Sequence, residues 1–248
     1  MVSVQPETVS HFISTPSFDG SAVYRGAWSD PDGTVICMDL ARGTLRRFIS
    51  SDNQLSEIEW FQIMFGIASH LATAHAQGQI HKDLKPSNSI TPFFQSVDFL
   101  VLVDLTQENL ILHSNVRITD YGIQPTSRIQ LAANNRPTLP GTLSYWAPEI
   151  RLAGNKPTQA TDIWALGCIG YEICLGQALS ENNNRLPIDN HIRGGPMDLN
   201  ALDQRYGDHI RYIIGCCLQL DPSSRCSALD IRNYIQKLFR QNGSYLFE

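Results

Sequence analysis

The sequence predicts an α+β fold in which a mainly helical large unit follows a small pair of β-strands. Residues 22–28 and 34–38 are rich in β-branched and aromatic side chains, and residues 29–33 between them have the composition of a turn. Further along the chain, apolar side chains recur at helical spacing in several long segments. With 248 residues, the chain is long enough to bury one large core or two small ones.

Two helices are predicted in the first half of the chain. Residues 44–49 form a short candidate helix after a break at residues 39–43. Ser56 and Glu59 have the spacing of a capping box, in which each side chain satisfies a backbone N–H group at the helix start. An apolar stripe with helical spacing follows and stops at Gly78, so the second helix is predicted to end there.

Three more helices are predicted in the second half of the chain. The first opens at Thr161 or Asp162, runs through residues 163–175 and ends at Gly176. Its apolar side chains occupy nearly every face, which is typical of a helix in the middle of a domain. The other two helices and the turn between them are predicted at residues 208–218, 227–239 and 221–224.

The composition narrows the classes of function. A net charge of -5 and a pI near 5.8 argue against nucleic acid or an anionic membrane as a partner. No apolar run reaches the length of a membrane span, and residues 1–7 lack the basic and apolar segments of a secretory signal. The six cysteines lack metal-ligand spacing and predict free thiols in a reducing compartment, so the expected location is cytoplasmic (or nuclear). The oligomeric state stays open.

One octapeptide carries most of the chemical information in the sequence. Residues 81–88 read HKDLKPSN, so a carboxylate, an ammonium and an amide follow one another on a turn that the proline stiffens. These three groups are suited to binding a hydroxyl group and a metal-bound phosphate.

Four further motifs come after this octapeptide in order. They are Asp120-Tyr121-Gly122, Gly141-Thr142, Ala147-Pro148-Glu149 and Asp162-Ile163-Trp164-Ala165-Leu166-Gly167. Together the five motifs resemble the signature set of the eukaryotic protein kinases, H-R-D-L-x-x-x-N, D-F-G and A-P-E. The lysine at position 85 is similar to that of the Ser/Thr-directed members of this family.

The resemblance implies a protein-kinase-like fold, with a mainly helical large lobe preceded by a remnant of the small-lobe β-sheet. Residues 1–38 are expected to be the last strands of the small lobe, residues 39–240 the large lobe, and residues 241–248 a tail. The resemblance also implies ATP and Mg as cofactors, and as partner a protein substrate that offers a Ser or Thr hydroxyl.

The resemblance further implies roles for four side chains in phosphoryl transfer. Asp83 is expected to accept or orient the proton of the hydroxyl, and Lys85 to offset charge on the transferred phosphate. Asn88 and Asp120 are expected to bind Mg through an amide oxygen and a carboxylate, because this ion needs few protein oxygens beside those of the phosphates.

Two more groups of residues are implied to bind the nucleotide and the acceptor. The expected ATP-binding hinge comprises Met38, Asp39, Leu40 and Ala41. Thr142 is expected in the loop that holds the acceptor peptide. Without the later motifs, residues 34–41 would be interpreted as an ordinary edge hairpin.

The remaining implied roles are structural. Glu149 is expected to form a buried ion pair with Arg225, and Asp162 to bond the backbone around His81 and Lys82. Lys82 stands where the family usually has arginine. Because lysine lacks the bidentate fork that grips a phosphate, control by phosphorylation of the activation loop is expected to be weak or absent.

Two features expected ahead of the octapeptide have no counterpart in this chain. No glycine-rich G-x-G-x-x-G segment precedes residue 34, and the first lysine in the sequence is Lys82. The expected function is therefore a protein serine/threonine kinase domain present as an incomplete copy, without the Gly-rich loop and the ATP-anchoring lysine. The alternative is a catalytically dead pseudokinase that acts as a protein-binding scaffold. A small-molecule kinase with a similar lobe is disfavoured by the peptide-binding motifs at residues 141–149.

The connection between the two expected metal ligands is longer than the family pattern. Asn88 and Asp120 are 32 positions apart, and the surplus is assigned to an atypical insertion at residues 89–107. It is interpreted as a retained intron or a recent insertion, the alternative being an extra strand or loop packed on the lobe. Asn109 is a rival for the metal amide, and Asn88 is favoured because it keeps the motif spacing.

Overall fold

A strand pair precedes a mainly helical region in the part of the chain that the structure, a computed structural model, describes. That part comprises residues 24–30, 33–38, 43–49, 55–91, 117–118, 143–176, 187–195, 197, 199, 202 and 206–241. The mainly helical α+β fold predicted from the sequence is confirmed. The predicted domain boundaries at residues 38 and 240 stay a prediction.

The strand pair is an antiparallel hairpin of β1 (Tyr24–Asp30) and β2 (Gly33–Met38). Trp28 pairs with Val35, and the ladder continues until Asp30 pairs with Gly33. The strands therefore extend into the segment whose composition predicted a turn. Polar side chains do not interrupt the pairing, because the ladder is made by backbone N–H and C=O groups.

A second, three-stranded sheet joins distant parts of the chain. Its strands β3 (Gly43–Thr44), β4 (Ser89–Thr91) and β5 (Arg117–Ile118) lie in the order β3-β4-β5 and pair antiparallel. The first three residues of the predicted insertion thus form the middle strand of this sheet. The rest of the insertion lies outside the described residues, and its limits stay a prediction.

Helix α2 (Glu57–Ala76) begins at the predicted capping box. The Glu59 N–H donates to Ser56 Oγ, and the Ser56 N–H donates to Glu59 Oε2 at 2.6 Å. The helix ends before Gly78, whose φ of +74° is a conformation that glycine adopts without steric cost. Both predicted ends of this helix are confirmed.

Helix α4 (Gln159–Leu175) lies in the centre of the core, and every residue from Thr161 to Cys174 is buried. It begins earlier than predicted because Thr158 caps it, its backbone N–H donating to Thr161 Oγ1 at 3.2 Å. It ends as predicted at Gly176, which is left-handed with a φ of +64°.

Five other helices lie in the part of the chain that the structure describes. They are α1 (Leu45–Ile49), α3 (Pro148–Arg151), α5 (Pro187–Ile192), α6 (Asp208–Cys217) and α7 (Ala228–Gln241). Helix α7 packs on α2, where the Phe61 and Phe239 rings meet edge to face at 5.9 Å between centroids. Helix α6 packs on α4, and α2 is tied to α4 by Trp60 Nε1, which donates to the Gly170 carbonyl at 2.9 Å.

The contact between α4 and α6 depends on a glycine. A Cβ atom added at Gly167 would lie 2.6 Å from the Cβ of Cys217 and 2.9 Å from the Leu218 side chain. Because such distances are shorter than carbon–carbon contact, a side chain at this position forces the two helices apart.

A buried arginine ties α3 to the turn between α6 and α7. Arg225 donates to both carboxylate oxygens of Glu149 at 2.8 Å, and its side chain is 0% exposed. It also donates to the carbonyls of Ala160 and Gln219, each at 2.8 Å, and stacks 5.1 Å from the Trp164 ring centroid. The ion pair expected from the sequence is thus embedded in a network that satisfies the buried guanidinium.

We predict that Gly167→Ala destabilises the chain by about 1–3 kcal/mol, because α4 and α6 must separate to admit the methyl group. Urea unfolding followed by circular dichroism measures this change. Gly215→Ala, in α6, is the matched control, since its nearest new contact is the flexible Leu199 side-chain tip at 3.3 Å. Equal stability of the two variants would contradict the close approach at Gly167.

We also predict that Arg225→Lys lowers the free energy of unfolding by about 2–3 kcal/mol, because lysine keeps the charge but loses the fork on Glu149. The same urea experiment applies. Arg232→Lys is the control, as that guanidinium bonds to the neighbouring Asn233 side chain at the surface. An unfolding midpoint no lower than that of the control would show that the buried network contributes little.

Candidate active site

The octapeptide forms the loop that leads from α2 to β4. His81 is fully buried, and Lys82 has a φ of +74°, the one positive φ among the described residues other than glycine. A lysine in the left-handed region is strained and persists only where its surroundings hold it. Pro86–Asn88 then makes a single 3₁₀ turn and ends the loop.

Asp162 holds this strained loop in place. Its Oδ2 accepts from the His81 N–H at 2.8 Å and its Oδ1 accepts from the Lys82 N–H at 2.9 Å. The carboxylate is 1% exposed and lies in the first turn of α4, where the helix dipole favours a negative charge. His75 adds a third contact, with Nε2 2.9 Å from Asp162 Oδ2.

Asp83 and Lys85 face each other on the outer side of the loop. Lys85 Nζ donates to Asp83 Oδ2 at 2.7 Å, and the Lys85 and Asp83 side chains are 21% and 18% exposed. The Asp83 N–H donates to His81 Nδ1 at 3.3 Å. Partial exposure leaves both charged groups accessible to a bound reactant, while the backbone beneath them is fixed.

A cavity of about 190 Å³ lies beside these residues. Asp83 and Lys82 form one side of it, and the segment around Trp146 and Ile150 forms another. Most of its wall is apolar side chain. An acceptor group placed near Asp83 would therefore be partly shielded from water, which strengthens electrostatic interactions.

Tyr145, which lines this cavity, belongs to a buried polar cluster that the sequence did not reveal. Arg46 in α1 donates to the Glu172 carboxylate and to the Tyr145 hydroxyl, and that hydroxyl donates to Glu172. Glu172 is fully buried in α4. Burial and the Glu172 carboxylate raise the pKa of Tyr145, so its hydroxyl remains protonated and acts as a donor.

The buried cluster pairs the positive charge of Arg46 with the negative charge of Glu172. Burial alone lowers the pKa of Arg46, but Glu172 and Tyr145 raise it overall, so the guanidinium stays charged beside the carboxylate. A glutamate within the apolar run of residues 163–175 is the one signal in the sequence that could have indicated such a partner. The partner itself, 126 positions away, has no local signature.

Several of the residues singled out in the sequence lie outside the described part of the chain. They include Asp39, Leu40, Ala41, Asn109, Asp120 and Thr142. Met38 is the last residue of β2, and Asn88 closes the 3₁₀ turn before Ser89, which pairs with Ile118. The hinge, metal-binding and acceptor-loop roles of these residues stay predictions.

The described residues lack both a metal-binding cluster and a membrane-spanning helix. No group of three or more His, Cys, Asp or Glu side chains among them is arranged to hold a metal ion. None of the helices in this part of the chain is both long and apolar enough to cross a bilayer.

We predict that Asp162→Ala increases hydrogen exchange of the His81 and Lys82 amides by about tenfold or more, since each loses its acceptor. Asp162→Asn, which keeps one acceptor oxygen, is expected to have a smaller effect. Residue-resolved exchange measured by NMR tests this. Asp208→Ala, at the exposed start of α6, is the control. Unchanged exchange at both amides in Asp162→Ala would show that other contacts fix the loop.

The chain has many relatives among proteins of known family. It is 26% identical to the Aurora/IPL1-related protein kinase 2 of Caenorhabditis briggsae over 198 residues, which cover 77% of this chain and 55% of that protein. It is 25% identical to the serine/threonine-protein kinase RAD53 of Saccharomyces cerevisiae over 225 residues, which cover 85% of this chain and 25% of that protein. The chain thus spans about half of the first relative and a quarter of the second.

A solved structure supports the same fold. Rad53 1-466, crystallised in complex with AMP-PNP, matches with a TM-score of 0.63 and 22% sequence identity over 88% of this chain and 50% of that one. The model of the protein kinase domain family matches residues 22–235. Because this match covers most of the chain, the chain belongs to the eukaryotic-type protein kinase family.

Proposed function

We propose that this chain is a protein serine/threonine kinase domain that transfers a phosphoryl group from ATP, with Mg, to a protein hydroxyl. The observation that carries the proposal is the geometry of the loop of residues 81–88. Lys85 Nζ lies 2.7 Å from Asp83 Oδ2 on this loop, and both side chains are partly exposed. Family membership and the Ser/Thr kinases among the relatives support the same reaction.

Asp83 is the group that orients the acceptor hydroxyl. As the hydroxyl oxygen bonds to the γ-phosphorus and the bond to the leaving diphosphate breaks, the hydroxyl proton passes to the Asp83 carboxylate. The strained Lys82 backbone and its bonds to Asp162 keep this carboxylate in position. Positioning is a main source of catalysis in this reaction, because the enzyme forms no covalent intermediate.

Lys85 offsets negative charge on the phosphoryl group during transfer. Its ammonium lies against Asp83 before a reactant binds, so it is close to the point of transfer. Because the side chain is partly exposed, it can exchange this contact for a phosphate oxygen at modest cost.

Asn88 and Asp120 are proposed to hold the Mg ion, and Met38 to Ala41 to contact the adenine. An amide oxygen and a carboxylate fit a hard cation that takes its other ligands from phosphates and water. The pairing of Ser89 with Ile118 supports this assignment of the Mg ligands. Asn88 comes directly before Ser89, and Asp120 comes two residues after Ile118. Bound ATP and Mg would supply the phosphoryl group and neutralise its charge.

Thr142 is proposed to belong to the loop that receives the acceptor peptide. It immediately precedes the 3₁₀ turn Leu143–Tyr145, whose Tyr145 is fixed by Glu172 and Arg46. The cluster gives the acceptor segment a rigid attachment to α4.

A second candidate function is that of a pseudokinase scaffold. Residues 1–81 contain no lysine, so nothing in this chain ahead of Lys82 supplies the ammonium that the family uses on the α- and β-phosphates. On this ground we propose that transfer by the chain is slow. A chain that binds a protein partner but transfers no phosphate would fit the same sequence.

We predict that Asp83→Asn lowers the rate of phosphoryl transfer by about a hundredfold or more, because the amide cannot accept the hydroxyl proton. The measurement is incorporation of phosphate from labelled ATP into casein by the full chain with Mg. Asp208→Asn, at an exposed carboxylate far along the chain, is the control and is expected to match the parent chain.

The outcome separates the two candidate functions. Transfer that depends on Asp83 supports the kinase. Transfer by the parent chain no faster than by Asp83→Asn, in protein whose circular dichroism is native, would refute it in favour of the scaffold.

A further inference from the structure

A second cavity, of about 340 Å³, lies between α6 and α7. It shares no lining residue with the cavity beside Asp83. Tyr212 of α6 and Tyr234 of α7 form one wall, with ring centroids 5.0 Å apart and planes tilted by 38°. Tyr212 is 58% exposed, so its ring presents a large face to solvent.

Tyr234 is held in place by a neighbour on α6. His209 Nδ1 and the Tyr234 hydroxyl share a hydrogen bond of 2.8 Å, and the two rings meet edge to face at 5.9 Å. Burial is the main cause that raises the pKa of Tyr234, and the nearby Tyr212 raises it further. The phenol therefore stays neutral. The aromatic wall is therefore ordered before any ligand arrives.

Asp230 contributes a carboxylate to the same cavity. Its Oδ2 accepts from the Ser227 N–H at 3.0 Å and from Ser227 Oγ at 2.6 Å, as part of the cap of α7. Its Oδ1 has no hydrogen bond or ion pair to any described residue. The Ser227 side-chain and backbone bonds lower the pKa of Asp230, so the group is ionised at neutral pH.

The floor of the cavity carries no charge. It is made of Ile213, Ile231 and the thiols of Cys216 and Cys226. The hydrogen bond with Cys226 and burial raise the pKa of Cys216. The bond to Cys216 lowers the pKa of Cys226, but Cys217 and burial raise it overall. With both thiols protonated, Asp230 supplies the one formal charge among the residues that line this cavity.

We propose that this cavity binds the side-chain cation of a lysine or arginine from a basic segment of a partner protein. Aromatic faces attract cations through the ring quadrupole, and the Asp230 carboxylate beside them, whose Oδ1 is not bonded to any described residue, gives the ion a counter-charge. Tyrosine is enriched in protein interfaces because its ring combines apolar area with a polar tip. The net charge of -5 favours approach by a basic partner. The site is independent of phosphoryl transfer.

The probe for this site is a pair of pentapeptides, acetyl-Gly-Ser-X-Ser-Gly-amide, in which X is lysine or norleucine. NMR titration of the full 248-residue chain measures the dissociation constant of each from amide shifts in α6 and α7. The lysine peptide is expected to bind about tenfold more tightly, because norleucine has a similar length without the ammonium.

Two variants test the named groups. Tyr212→Leu removes an exposed ring, and Asp230→Asn removes the charge while keeping an oxygen to cap α7. Each is expected to weaken binding of the lysine peptide about fivefold. Leu229→Ala is the control, since Leu229 is 46% exposed on α7 but does not line the cavity.

Four results would overturn the proposal. They are equal affinity for both peptides, no detectable binding of the lysine peptide, the same loss in Leu229→Ala as in the two variants, and unchanged affinity in both variants. Equal affinity would identify an apolar groove, and insensitivity to both variants would place the peptide elsewhere.

Discussion

The hydrogen bonds that Asp162 accepts from the backbone of His81 and Lys82 are the constraint on which the candidate site depends. Lys82 adopts a left-handed conformation that costs free energy, and a buried carboxylate with two N–H donors offsets that cost. The carboxylate depends on the loop in turn, since a buried charge without hydrogen-bond donors is unfavourable. The loop and the start of α4 are therefore mutually dependent, and Asp83 takes its position from both.

Helix α4 is the platform that connects the separate parts of the site. Near its start, Asp162 fixes the loop of residues 81–88, and Trp164 stacks on the Arg225 guanidinium. Near its end, Glu172 fixes Tyr145 and Arg46. Because the helix is buried along its whole middle, these points cannot move independently. The close approach at Gly167 is part of the same rigidity.

Much of this arrangement could be predicted from sequence, where the determinants are local or belong to a family motif. The capping box at Ser56 and the left-handed Gly176 obey short-range rules of backbone geometry. The partners of Glu149 and Asp162 are implied by the resemblance to the kinase motifs. Local patterns suffice in such cases because the interacting positions are specified by the motif itself.

The parts that escaped prediction depend on tertiary contacts. The pairing of Arg46 with Glu172 joins positions 126 apart, and nothing near either residue names the other. Ser89–Thr91 lies in a sheet because β3 and β5 flank it, although its sequence alone indicates the start of an insertion. The cavity beside Tyr212 and Tyr234 arises only where α6 and α7 pack, so the sequence of either helix alone does not indicate it.

Our central proposal is that one folded lobe brings Asp83 close to a nucleotide-bound cation that Asn88 and Asp120 hold. Calorimetric titration of the full chain with ATP, with and without Mg, tests it most directly. We expect Mg to tighten ATP binding by about tenfold or more, and Asp120→Ala to remove the difference. Affinity that is the same with and without Mg, or no binding of ATP at millimolar concentration, would contradict the claim.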